Sequence, residues 1–140
     1  MTPHLRLKPG AAFPVLAPAG LRILAALDNA ARHLNQTLTI TSGSETRGRA
    51  VTDPHMTGEA VDVSVTALLP AEIHTLYHRL KTALGPAFTV LLEAPPHLNI
   101  PSLNTIVYRN DKATALHLHI QRKKGTTWPP PDATSEARRA

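Results

Sequence analysis

Histidine and aspartate occur in this sequence at spacings that allow them to act together. His55 and Asp62 stand seven residues apart in "TDPHMTGEAVDVSV", the first in a loop and the second in an alternating run. Further along, "ALHLHIQ" carries His117 and His119 two positions apart. On a strand such residues share a face, while Leu116, Leu118 and Ile120 point to the opposite, buried side. Two imidazoles on one face of an apolar strand are costly to leave dry and unpaired; a metal ion or a hydrogen-bond partner relieves that cost. Two histidines and one aspartate make a ligand set suited to zinc, with a fourth position for water. Zinc so held lowers the pKa of its water to about 7 and polarises a carbonyl, which is what hydrolysis of an amide needs.

The elements that must position these side chains follow from periodicity. "PAGLRILAALDNAARHLN" spaces Leu21, Leu24, Leu27, Ala31 and Leu34 at three or four residues and predicts an amphipathic helix. "QTLTITSGS" sets Leu38 and Ile40 against Thr37, Thr39 and Thr41, a half-buried strand ending at Gly43. A polar loop, "SETRGRAVTDPHMTG", leads into "EAVDVSVT", where Val61, Val63 and Val65 face one way and Ala60, Asp62 and Ser64 the other. "PAEIHTLYHRLKTALG" predicts a second helix: Pro70 suits its first turn, Glu72 the positive end of its dipole, and Gly85 its stop. "AFTVLLEAP" and "TALHLHIQRK" are two further strands, joined by a long connection that holds a short strand at "TIVY". This order predicts an α+β domain with helices packed on a small, largely antiparallel sheet. The domain is expected over 1–124, with 125–140 a Pro-rich basic tail in which Trp128 packs on the domain or engages a partner.

Composition narrows the function classes. At 140 residues the chain is one domain that needs no disulfide to fold. With no cysteine, thiol nucleophiles, iron–sulfur clusters and Cys-ligated zinc are excluded. The net charge of +5 gathers in "RKK" (122–124) and "ARRA" (137–140), and aromatic residues are not interleaved with basic ones. That pattern predicts a solvated tail and no specific nucleic-acid partner. No apolar run has the length of a membrane span, and Pro14 and Pro18 break the only stretch resembling a signal core. A monomer that stays in the cytoplasm or is released by lysis is expected. His33, His74 and His78 fall on helices without acidic partners; His74 and His78 are four apart but lack the flanks of a dedicated metal site. His97 reads as a surface histidine.

The motifs resemble a known family. "HMTGEAVD" fits the pattern His-x-x-Gly-x-Ala-x-Asp of the zinc D-Ala-D-Ala metallopeptidases, and "HLH" matches their later His-x-His. The wider group includes D,D- and L,D-peptidoglycan peptidases, phage endolysins and the hedgehog signalling domain. "LTITSGSETRGR" resembles the family's upstream strand, which ends in Ser-Gly and leads to a substrate-holding arginine. The resemblance covers about Leu21 to Gln121.

The resemblance implies a hedgehog/DD-peptidase-like fold, with His55, Asp62 and His119 as zinc ligands and His117 beside the ion to stabilise charge. Arg47, with Arg49 as second choice, is the implied counter-ion for a carboxylate of a peptidoglycan peptide, since guanidinium binds carboxylate bidentately. Asp53 replaces a serine common in relatives, and Leu116 and Ala113 stand where relatives carry a catalytic carboxylate. Glu93, which ends the apolar run "FTVLLE", is the expected general base, with Asp111 a second candidate in the turn-like "RNDK". A catalytically inactive zinc-binding module is the alternative.

Overall fold

The computed structural model describes residues 4–46, 48–126 and 128–129. Among these, two α-helices, one 3-10 turn and six strands occur in the order β1 (Leu5–Leu7), α1 (Pro18–Leu34), β2 (Leu38–Ser42), β3 (Ala60–Ser64), α2 (Pro70–Leu84), β4 (Phe88–Ala94), the 3-10 turn (Pro101–Leu103), β5 (Val107–Arg109) and β6 (His117–Arg122). One sheet holds all six strands in the order β1-β2-β3-β6-β4-β5. The pairs β2–β3, β3–β6 and β6–β4 are antiparallel, whereas β1–β2 and β4–β5 are parallel.

The chain is therefore α+β as expected, but the sheet is neither small nor largely antiparallel. It is a six-stranded mixed sheet. The difference lies at the edges. β1 and β5 are three residues long, too short to show an alternation, and each runs alongside a strand distant in sequence.

Both helices open on a proline whose missing N–H costs nothing there. Asn35 ends α1 in the left-handed conformation, and its N–H and that of Gln36 return to the carbonyls of Arg32 and Ala31. The buried face of α1 is Ile23, Ala26, Leu27, Ala30 and Ala31, while Leu21 is 56% exposed. The leucine stripe expected from spacing is thus rotated: small alanines bring the helix backbone close to the sheet. Ile23 and Leu27 join Ile73, Leu76 and Leu80 of α2 against Leu38, Ile40, Val61, Val63, Val90, Leu92, Leu118 and Ile120 of the sheet. At about 0.8 kcal/mol per buried methylene this layer is the main source of stability. The other face of the sheet is left to polar residues.

Candidate metal centre

Cross-strand register assembles the centre. Asp62 on β3 lies opposite His119 on β6 and Ser42 on β2; one row along, His117 on β6 lies between Ser64 on β3 and Glu93 on β4. Because side chains two apart share a face, both rows project from the side of the sheet away from the helices. The β2–β3 register shifts between Ile40 and Ser42, a bulge that places Ser42, not Thr41, across from Asp62.

His55 arrives from the β2–β3 loop. Its N–H donates to Asp53 Oδ1 at 2.8 Å, so Asp53 caps the turn. Gly58 closes this loop with φ +74°, and a Cβ there would lie 2.7 Å from the Val15 carbonyl oxygen. Its own carbonyl accepts from the N–H of Ala17 at 3.2 Å, and a Cβ on Gly20 would fall 2.1 Å from that oxygen. The ligand loop is seated against the start of α1 by two positions that tolerate only glycine.

The lone pairs of both imidazoles are aimed by groups outside the centre. His55 Nδ1 lies 2.8 Å from the Gly43 carbonyl, which can only accept, so Nε2 keeps its lone pair and faces Asp62 Oδ2 at 3.3 Å. His119 Nε2 lies 2.7 Å from Gln121 Oε1, and its Nδ1 is 2.7 Å from Asp62 Oδ1. The ligand atoms of His55, Asp62 and His119 all lie within 4.8 Å of one another. Among the described residues this is the one group of three such side chains so placed. Two imidazole nitrogens, each oriented by an acceptor outside the trio, and a carboxylate form a donor set that fits a divalent cation such as zinc.

Electrostatics agree with this geometry. Burial opposes the charge of Asp62, but hydrogen bonds from His119 and His55 hold its carboxyl well below the usual carboxylate range. Burial likewise disfavours the His119 imidazolium, yet the Asp62 hydrogen bond and charge outweigh it and raise His119 to about 8. A proton bound between these two groups lies where a cation would bind.

Beside the trio, Glu93 is buried on β4, accepts from Asn110 Nδ2 at 2.5 Å, and faces His117 Nε2 at 3.7 Å. His117 Nδ1 lies 3.1 Å from the Ala115 carbonyl, so Nε2 is the atom it offers to the cleft. Leu116 is buried in the core, and Asp111 sits exposed in a turn. Of the two expected bases, Glu93 is the one that lines the cleft.

The expected carboxylate binders fare differently. Arg47 lies outside the described residues. Arg49 lines the cleft, but its guanidinium donates to Glu45 Oε2 and the Glu45 carbonyl at 3.0 and 2.6 Å and to Ser42 Oγ. Glu45, buried, also accepts from Ser42 Oγ at 2.6 Å and from the N–H groups of Gly43 and Ala12 at 2.8 and 3.0 Å. Burial opposes its charge, but these bonds together bring its carboxyl down to about 2. Sequence reasoning passed over Glu45, Gln121, Lys8 and Lys112. The two lysines line the cleft, which has a volume of about 680 Å³. Only the position of Gln121, two residues beyond His119 on the same strand face, gave any signal.

No family model, no curated protein and no solved structure matches this chain. The family resemblance therefore rests on the sequence motifs alone.

Among the described residues no helix is long and apolar enough to cross a membrane. Trp128 packs its ring edge-on to Phe88, centroids 6.0 Å apart, so the chain contacts the domain past residue 124. Within the expected tail, 127 and 130–140 lie outside the described residues.

Proposed function

We propose that this chain is a zinc-dependent peptidase of the D-Ala-D-Ala carboxypeptidase type, with a hedgehog/DD-peptidase-like fold, acting on peptidoglycan peptides. The observation that carries the reading is the convergence of His55 Nε2, the Asp62 carboxylate and His119 Nδ1 next to the Glu93–His117 pair. His55, Asp62 and His119 would hold the ion, which when bound supplies Lewis acidity toward a water and a substrate carbonyl. Asn110 and His117 both approach Glu93 Oε2, which leaves Oε1 to take the proton of the attacking water. That carboxylate can then return the proton to the departing amine. His117, whose Nε2 faces the cleft, is the group that would stabilise the oxyanion as charge develops on the carbonyl. Lys8 and Lys112 supply positive charge at the cleft wall for a substrate carboxylate, a role the Glu45-bound Arg49 is less free to fill.

Hydrolysis of defined cell-wall peptides, measured with and without chelator on protein of known metal content, tests this. Glu93→Gln is expected to lower kcat/KM by roughly 100-fold or more while zinc stays bound. A metal-free active protein, or a Glu93→Gln variant with full activity, would overturn the mechanism. Zinc bound without hydrolysis in either protein would leave the inactive binding module as the answer.

A further inference from the structure

Among the described residues, Lys8, Arg49 and Lys112 are the lysines and arginines that line the metal cleft. Arg49 is neutralised by Glu45 at 3.0 Å. Both lysines are exposed, and neither forms an ion pair among the described residues. They stand on opposite sides of the metal trio. Lys8 follows β1, and its N–H extends the parallel ladder to the Ile40 carbonyl at 2.8 Å. Two residues earlier, Arg6 Nε donates to Thr39 Oγ1 on the polar face of the sheet, so Lys8 projects from that face too. At about 4.8 Å per strand, β1 runs roughly 10 Å from Asp62 on β3. Lys112 lies on the other flank. Asn110 donates to Glu93 Oε2 on β4 at 2.5 Å and accepts from the Lys112 N–H at 3.0 Å, which ties this lysine to the Glu93 side. Between the two lie β3 and β6, which carry Asp62 and His119.

We propose that the two lysines read anionic groups on either side of the scissile amide: Lys112 the carboxylate of the departing residue, Lys8 an acidic side chain further along the acyl side. This assignment rests on the peptidase reading above. Glu93 returns its proton to the departing amine, so the leaving residue lies on the Glu93 flank, where Lys112 is. The acyl part then runs across β3 and β2 toward Lys8. With the metal between them, a single carboxylate meets one lysine and not the other. The cleft, about 680 Å³, is larger than a dialanine end fills and leaves room on the acyl side. An extended chain covers about 10 Å in roughly three residues, and the four-carbon lysine stem shortens that span to one or two. The substrate class is a peptide that is acidic ahead of its cleaved bond as well as at its free end.

The test uses the zinc-loaded full chain and four peptides ending in D-Ala-D-Ala. Their terminal carboxylate is free or amidated, and the two residues before the alanines are both glutamate or both glutamine. Amidation and the change to glutamine are each expected to lower kcat/KM about five- to tenfold, the worth of a partly exposed charged contact. Lys112→Met should bring the acid-to-amide ratio toward one and keep the glutamate-to-glutamine ratio, and Lys8→Met should do the reverse. Ratios near one in the unsubstituted protein, or ratios that neither substitution moves, overturn the assignment and leave the peptidase reading standing. So does an exchange of the two ratios between the variants. Hydrolysis of no peptide defeats the peptidase reading instead, and calorimetric dissociation constants for the same peptides and variants then decide. The same pattern in Kd supports the two lysine sites; equal Kd values overturn them.

Discussion

At the scale of single residues, the pairing of His119 with Asp62 dictates how metal binding must depend on pH. Asp62 holds a proton on His119 up to about pH 8, and a cation has to displace it. Zinc affinity should therefore fall as pH drops below about 8, approaching tenfold per pH unit for one competing proton. Calorimetry at pH 7 in buffers of different ionisation enthalpy should register close to one proton released per zinc; release of none would remove the His119–Asp62 pair from the site. Glu45 works at one remove. It holds the Gly43 N–H, and the Gly43 carbonyl in turn holds His55 Nδ1–H, so the carboxylate sets the direction in which the His55 lone pair points. Glu45→Ala should weaken zinc binding by about 10- to 100-fold, the usual cost of losing such a support, and broaden the visible spectrum of a cobalt-substituted site. An unchanged cobalt spectrum and zinc affinity would reduce Glu45 to a purely structural role.

At the scale of elements, the parts that could be read from the sequence are those whose pattern lies within one segment. The alternation of β2, β3 and β6 and the helical spacing of α1 and α2 each repeat several times, so each was expressed locally. The three-residue edge β1 was not, because its strand character comes from parallel pairing with β2. The short strand expected at "TIVY" lies at β5, where only the parallel pairing with β4 was not legible. The same distinction runs through the site. His55, Asp62 and His119 announce themselves as donors at telling spacings, but Glu45 becomes an anchor only where residues 12, 42, 43 and 49 meet it. A bulge such as that in β2 leaves no trace in composition. Gly58 joins the two levels, since its place in the motif is explained by the element that it touches. Gly58→Ala forces a left-handed conformation on a side-chain-bearing residue and drives its Cβ against the Val15 carbonyl. The expected cost is at least about 1–3 kcal/mol of folding stability, together with weaker zinc binding, as read by denaturant titration and metal competition. Gly48→Ala, where nothing lies within 4 Å of the added carbon, bears only the conformational penalty and should leave zinc affinity unchanged.

At the scale of the whole molecule, the centre fastens together parts of the chain that meet only in the folded state. His55 belongs to a loop, Asp62 to β3 and His119 to the strand that joins both halves of the sheet. Glu45 ties the segment before α1 to the end of β2, and Glu59 pairs with Arg122 where β3 begins and β6 ends. The unfolded chain offers none of these arrangements, so metal and protons act directly on the folding equilibrium. Zinc at 100 times its dissociation constant should add about 2.7 kcal/mol, a rise in Tm of roughly 10 °C that chelator reverses. Protons taken up by the Glu45 and Glu59 carboxylates act in the opposite sense. The folded-state pKa of Glu45 is depressed from 4.5 to about 2, so its stabilisation is complete above about 4.5 and is lost as pH falls toward 2. Glu59, lowered chiefly by its hydrogen bond to Arg122, adds a loss of the same sign. Acid titration of the metal-free protein should show stability falling through this window, and Glu45→Gln should be less stable at neutral pH yet flatter across it. If the two proteins lose stability in parallel between pH 4.5 and 2, the carboxylate is not charged against Ser42, Gly43 and Arg49, and the support beneath His55 must be sought elsewhere.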